Sequence, residues 1–391
     1  MNVCVDSAYK SLNKHHEELC GDKVEIVRTP DSDILILADG MGSGVKANIL
    51  ATLTSKIMAT MFSNGSTVEE CVETVVKTLP ICQVRQVAYA TFTILQICHN
   101  GDAYLIEYDN PSCIFLRDNQ LVTIPFTKRI IADKEISEYR FKVQKNDTFI
   151  IMSDGTIHAG VGELLNFGWQ WDDIAQYVVT NAIKAPTAKR MALLVSDACD
   201  DLYNHVPGDD TTVAVFKVIN RKVVDIFTGP PLDPADDFIA MRKFMHGEGI
   251  KIVSGGTSAK IAARYLGKEI RTSLDYLDPE VPPIAHIDGV DLTTEGIITL
   301  SRALTLLKDY AGNDNISESF FDELDKQDGG ALVARTLIED CTEVNFYVGK
   351  CINDAHQNPA LPFDISIRMN LIEQMKEVLE KMGKTVNVEY F

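Results

Sequence analysis

Asp33-Ile-Leu-Ile-Leu-Ala-Asp39-Gly40 and Thr148-Phe-Ile-Ile-Met-Ser-Asp154-Gly155 share one pattern: a short, continuously apolar run that ends in Asp-Gly. Such runs are expected of strands covered on both faces, each stopping at a turn. A third stretch, Pro207-Gly208-Asp209-Asp210, sets carboxylates immediately before the β-branched run Thr211–Val218. If that strand runs antiparallel to the other two, its start shares a sheet edge with their ends. Carboxylates distant in sequence then converge. Uncompensated, they would repel and raise one another's pKa values. Divalent cations remove that cost, and hard oxygen ligands suit Mg2+ or Mn2+. Two such ions ~3.5–4 Å apart are a device for hydrolysing phosphate esters. Glycine after each Asp leaves the backbone carbonyl open to a metal or its water.

Around these stretches lie 391 residues with 37 Lys+Arg against 56 Asp+Glu, a formal net charge of -19. That charge repels nucleic-acid backbones and anionic lipid, and basic residues cluster only in pairs such as Arg221-Lys222, so neither partner is expected. No run of about 18 apolar residues would span a membrane. The start, Met1-Asn2-Val3-Cys4-Val5-Asp6, lacks a leader pattern. The nine cysteines (4, 20, 71, 82, 98, 113, 199, 341, 351) include no Cys-x-x-Cys pair. They argue for a reduced, cytoplasmic compartment rather than a disulfide framework or a zinc site.

Strands are expected at 33–38, 89–95, 103–108, 148–153 and 211–218, and helices near 45–62, 67–79, 172–183 and 187–203. Thr67-Val-Glu-Glu70 has the form of a capping box. Apolar residues at 45, 49, 53, 57, 58 and 61 form a helical stripe expected to face a core. Runs of strands, then runs of helices, predict an α+β domain of packed sheets flanked by helices. Past Val218 the pattern changes at the turn cluster Thr228-Gly-Pro-Pro-Leu-Asp-Pro234. Strands near 250–253, 343–348 and 385–390 and a helix from about 365 to 382 then indicate a smaller α/β domain. The boundary is placed near 220, giving domains 1–220 and 221–391.

Asp39-Gly-Met-Gly-Ser-Gly44, Ser153-Asp-Gly155 and Gly208-Asp-Asp-Thr-Thr212, in this order, resemble the metal-dependent serine/threonine protein phosphatases of the PPM family. The Gly-Met-Gly-Ser-Gly form and Cys20-Gly21-Asp22 resemble its bacterial stage II sporulation E-like branch. The resemblance covers roughly residues 1–220 and implies an αββα sandwich with a site for two Mn2+ or Mg2+ ions at one edge. It implies that Asp39 bridges both ions, that Gly40 offers its carbonyl, and that Asp154 and Asp209 complete the set. Asp210 is the fallback ligand, and Asp22 would hold a metal water. The expected substrate is a phosphorylated protein, attacked by a metal-bridging water without a covalent phospho-enzyme. Where better-studied eukaryotic members carry a His two residues after the bridging Asp, this chain has Met41; His158, four residues after Asp154, is a spacing-based candidate proton donor. The resemblance also makes the helix after Gly44 a switch element, and an exposed helix there could make a homodimer.

In the second half, Gly255-Gly256-Thr257-Ser258 between a strand and a helix is a candidate anion-binding turn. Its helix is expected to be capped by Thr257 or Ser258. Ile287–Gly296 reads as an acidic metal or partner loop, or as a capped helix start. Asn353–Pro359 is polar and turn-like, with no role assigned. Two other readings stay open: a catalytically weak partner-switching or ligand-sensing module working through the C-terminal domain, and a phosphatase of small metabolites.

Overall fold

The computed structural model describes residues 3–78, 90–162, 164–272, 285–312, 316, 318–351 and 363–391. Cys82, Pro282-Pro283 and the 353–359 stretch lie outside them. The chain divides into two compact units, Met1–Asn220 and Arg221–Phe391.

The first unit runs β1 (Val3–Leu12), β2 (Asp22–Arg28), β3 (Ser32–Gly40), α1 (Gly44–Ser63), α2 (Val68–Thr78), β4 (Ala90–Cys98), β5 (Asp102–Tyr108), β6 (Ile114–Arg117) and β7 (Gln120–Leu121). It continues with β8 (Phe126–Ile131), β9 (Lys134–Lys142), β10 (Thr148–Met152), α3 (Asp154–His158), α4 (Trp171–Asn181), α5 (Ala188–Leu202) and β11 (Thr211–Asn220). Its strands form a sheet of order β1-β11-β10-β6-β7 and another of order β2-β3-β4-β5-β9-β8. Leu35 and Leu37 of β3 and Phe149 and Ile151 of β10 share the core between the sheets with Phe216. The alternate residues face outward: Ile34 and Ile36 meet Met58, Phe62 and Val72 of α1 and α2, while Ile150 and Met152 meet Ile174 and Val195 of α4 and α5. Helices thus cover both outer faces of two stacked sheets, which is why both strands read as unbroken apolar runs. The capping box forms: Thr67 N–H donates to Glu70 Oε2 at 2.9 Å and Glu70 N–H to Thr67 Oγ1 at 3.3 Å.

The α1 stripe is corrected in its first half only: Ile57, Met58 and Met61 pack on the core as expected. Val45, Ile49 and Leu53 are exposed, and the buried face is Ala47, Ala51, Thr54, Ser55, Met58, Ala59 and Phe62. The helix start lies so close to β3 that a Cβ on Gly40 would stand 2.0 Å from the Ala47 carbonyl oxygen. Only small residues fit that side, so the large ones turn outward; farther along, Met58 and Phe62 face the core.

The second unit runs β12 (Val223–Thr228), α6 (Asp237–His246), β13 (Ile250–Ser254), α7 (Gly256–Leu266), β14 (Arg271–Thr272), β15 (Ala285–His286), β16 (Leu292–Thr294), α8 (Ile297–Gly312), α9 (Glu318–Leu324), α10 (Gly329–Glu339), β17 (Glu343–Val348), α11 (Phe363–Lys381) and β18 (Thr385–Tyr390). Strands β16-β13-β12-β17-β18 pair in parallel in that order, with β14 and β15 antiparallel at one edge. In chain order the parallel strands lie third, second, first, fourth, fifth, the doubly wound α/β arrangement. The acidic 287–296 loop resolves into a turn and β16, with Asp291 Oδ2 accepting the Lys251 N–H at 2.7 Å. No described helix is long and apolar enough to cross a membrane, and the described cysteines are free thiols.

Candidate active site

Strand register brings the acidic residues together. β10 and β11 are antiparallel, with Met152 opposite Val213, so Asp154 just beyond one strand meets Asp209 and Asp210 just before the other. In the second sheet β2 and β3 are antiparallel with Asp22 opposite Asp39. Asp22 reaches across to the first sheet, accepting the Ser153 hydroxyl at 2.7 Å, while Ser153 Oγ accepts the Thr212 N–H at 2.8 Å. One fully buried serine therefore bonds to the β11 backbone and to the side chain at the start of β2.

Close backbone approaches fix the edge. A Cβ on Gly155 would stand 2.1 Å from the Asp210 carbonyl oxygen, and one on Gly21 2.7 Å from Asp210 Oδ2. The Tyr203 hydroxyl donates to the Gly155 carbonyl at 2.7 Å. Lys14 N–H donates to Asp210 Oδ1 at 3.0 Å, and Lys14 Nζ lies 3.8 Å from Asp209 Oδ1.

The carboxylates raise one another. Burial pushes the Asp39 carboxyl up, with Asp22, Asp154 and Asp209 adding to the rise. Burial also raises Asp22, against the hydrogen bond from Ser153, and the charges of Asp210 and Asp154 raise it further. Asp209 is raised by burial and by Asp154, and eased by Lys14. Two oxygens, Asp22 Oδ1 and Asp210 Oδ2, are buried without a hydrogen-bond partner.

Asp154, His158 and Asp209 each offer a ligand atom, all within 4.8 Å of one another, with His158 Nδ1 4.0 Å from Asp154 Oδ2. This donor set, with crowded carboxylates and orphaned oxygens behind it, fits a hard divalent cation. Of the expected residues, Asp22, Asp39, Asp154, Asp209 and Asp210 converge, and Gly40 ends β3 beside them. Asp209 is half-buried and grouped with Asp154, whereas Asp210 is buried, its Oδ1 on the Lys14 N–H. Sequence reading offered His158 only as a proton donor; its i, i+4 spacing from Asp154 on α3 is also that of a paired ligand. It missed Ser153 and Lys14, whose roles depend on strand pairing. Gly255-Gly256-Thr257-Ser258 belongs to the second unit, where it opens α7. Its N-cap is Gly255, not Thr257 or Ser258, at φ 115, where a side chain would be strained. The Ser258 hydroxyl accepts the Gly229 N–H at 2.8 Å.

Residues 30–219 match the family model of Stage II sporulation protein E (SpoIIE). No curated protein matches the chain. A solved structure of the PP2C phosphatase domain and a fragment of the regulatory domain of the cell fate determinant SpoIIE from Bacillus subtilis is 16% identical. That match covers 56% of this chain and 62% of the other, less than two thirds of its length, with a TM-score of 0.48. The RsbU and RsbW domains of a Mycobacterium tuberculosis protein are 18% identical, over 62% of this chain and 69% of that one, with a TM-score of 0.47. The catalytic domain of the serine threonine protein phosphatase PstP, in complex with two manganese ions, is 17% identical over 56% of this chain and all of that one, with a TM-score of 0.39. By its family model, the segment 30–219 belongs to the SpoIIE family.

Proposed function

We propose that residues 1–220 hydrolyse phosphoserine and phosphothreonine in protein substrates, using two Mn2+ or Mg2+ ions. The observation that carries this reading is the convergence of Asp22, Asp39, Asp154, Asp209 and Asp210 at one edge, with Asp22 Oδ1 and Asp210 Oδ2 left without partners. Asp39, the Gly40 carbonyl, Asp154 and Asp209 would hold the ions, with Asp22 behind them. When bound, the cations supply Lewis acidity and positive charge against a phosphate ester.

The chain's own residues do the rest. Ser153 holds Asp22 in place by its hydroxyl proton, so the buried carboxylate keeps one fixed lone-pair direction. The backbone N–H of Lys14 does the same for Asp210, while its ammonium lies at the open side beside Asp209. Met41 has no proton to give; His158, exposed beside Asp154, is the side chain placed to hold one there. The described chain offers no cysteine nucleophile at this edge other than Cys20, whose thiol burial pushes up to about 12, so a thiolate route is disfavoured.

The test is hydrolysis of an aryl phosphate and a phosphoserine peptide with and without Mn2+, in wild type and Asp154→Asn. We expect Mn2+-dependent turnover that the substitution lowers at least about a hundredfold, the scale of one lost electrostatic stabiliser. Turnover equal in both proteins, or unaffected by chelator, would overturn the reading. Faster hydrolysis of a panel of small phosphorylated metabolites than of the peptide would redirect it to that substrate class.

A further inference from the structure

The segment that follows His158 carries large apolar side chains in an unusual arrangement. Leu165 turns inward onto the core under α4 and α5, and Trp169 is buried there, edge-on to Tyr177 with ring centroids 5.3 Å apart. Val161, Leu164 and Phe167 turn outward, 49%, 66% and 83% exposed. They are held there by a defined backbone. Val161 N–H donates to the His158 carbonyl at 3.1 Å, Leu165 N–H to Gly160 at 2.9 Å and Gly162 N–H to Leu165 at 3.2 Å. The far end returns to the site: a Cβ on Gly168 would stand 2.2 Å from the Ile157 carbonyl oxygen and 3.3 Å from His158 Cα. Both ends of the segment are therefore fastened to α3, the helix that carries Asp154 and His158.

We propose that Val161, Leu164 and Phe167 are the surface on which the polypeptide flanking the phosphorylated residue docks. Preferred substrates then carry a large apolar side chain within a few residues of the phosphoserine or phosphothreonine. The inference rests on the phosphatase reading of the carboxylate edge and adds its substrate preference. The occupant follows from position and charge. A phosphate seated at Asp154 and Asp209 lies against α3, and both ends of this segment are fastened to Ile157 and His158 of that helix, so the residues flanking the phosphate come within reach of it. Away from the ions the chain carries a net charge of -19, which disfavours acidic flanks, whereas apolar ones gain by burial against Val161, Leu164 and Phe167.

The experiment uses the full chain, Leu164→Ser/Phe167→Ser, and labelled phosphoserine peptides with leucine or phenylalanine, or with serine, on either side of the phosphoresidue. Affinity is read by fluorescence anisotropy in Mn2+ with the non-hydrolysable phosphonate form of each peptide, and kcat/KM of the phosphopeptides in parallel with an aryl phosphate that has no flanks. Both side chains are exposed, and circular dichroism checks that the variant folds. We expect wild type to bind the apolar peptide about tenfold tighter than the serine one, and the double variant to lose that preference. The ratio of peptide to aryl phosphate kcat/KM should fall by the same factor, through KM. Equal affinity of wild type for the two peptides, or a preference that survives the substitutions, would overturn the docking surface whatever the turnover. A preference lost in the variant, with aryl phosphate hydrolysis absent in both proteins, would keep the surface and remove the catalytic reading instead. A dimer dispersed by the substitutions with peptide affinity unchanged would assign these side chains to a second copy of the chain, and overturn it.

Discussion

A carboxylate buried among other carboxylates carries a charge the fold resists, and Asp39 is the residue where this is largest. Burial and the charges of Asp22, Asp154 and Asp209 push its carboxyl well above the ordinary carboxylate range, and burial raises Asp22 beside it. In the unfolded chain both would titrate near 4. The metal-free folded state therefore holds protons that the unfolded state has lost, and its stability falls as pH rises from about 4 through these raised values. In chelator, the melting temperature should drop between pH 5 and pH 8; a flat or rising profile would contradict the crowding. Mn2+ at pH 8 should restore it, and less so at pH 5, where protons compete for the same oxygens. Asp39→Asn separates the two effects. Without metal at pH 8 it should melt several degrees above wild type, since ~1 kcal/mol moves Tm by about 2–4 °C in a domain this size. It should also lose the Mn2+ gain. A variant that melts lower in chelator would show Asp39 to be structurally satisfied as it stands.

At the scale of elements, the meeting of β3 with α1 decides what the site can be. Gly40 has no room for a Cβ because the Ala47 carbonyl oxygen stands 2.0 Å from it, whereas Gly42 has open space and a φ of 98. Gly40→Ala must push helix and strand apart and should cost about 3 kcal/mol or more; Gly42→Ala should cost about 1 kcal/mol from backbone conformation alone. Urea unfolding of the two variants measures the difference, and equal costs would refute the tight contact. The same contact explains what was and was not legible. The strands that lead to Asp39 and Asp154 were plain in sequence because both their faces are buried, and the Asp-Gly ends marked where the carboxylates emerge. The first half of the inward face of α1 was misread because its first turns bury alanine, threonine and serine, which periodicity of large apolar residues does not detect, whereas Ile57, Met58 and Met61 face the core as expected. The pairing of Asp22 with Asp39, and the Ser153 bond to Asp22, depend on register between segments far apart in sequence, which no local pattern encodes. His158 was visible by spacing, but its place beside Asp209 required β11 to run against β10.

For the whole molecule, the relevant fact is that each half closes its own core. In the first unit apolar clusters fill the space between the sheets and beneath both helical layers, with members drawn only from residues before 219. In the second, Phe227, Phe244, Val253 and Ile261 pack among residues after 226. A core complete within one segment can form without the other. We therefore expect residues 1–220, produced alone, to unfold in a single cooperative transition and to keep the Mn2+-dependent gain in melting temperature. A domain of this size buries enough apolar surface for independent stability. If the fragment hydrolyses an aryl phosphate as fast as the full chain, the second unit contributes nothing to the chemical centre. If the fragment folds and takes up Mn2+ but turns over more slowly, residues 221–391 act on the carboxylate edge itself. A fragment that fails to fold would refute the independence that the separate cores imply.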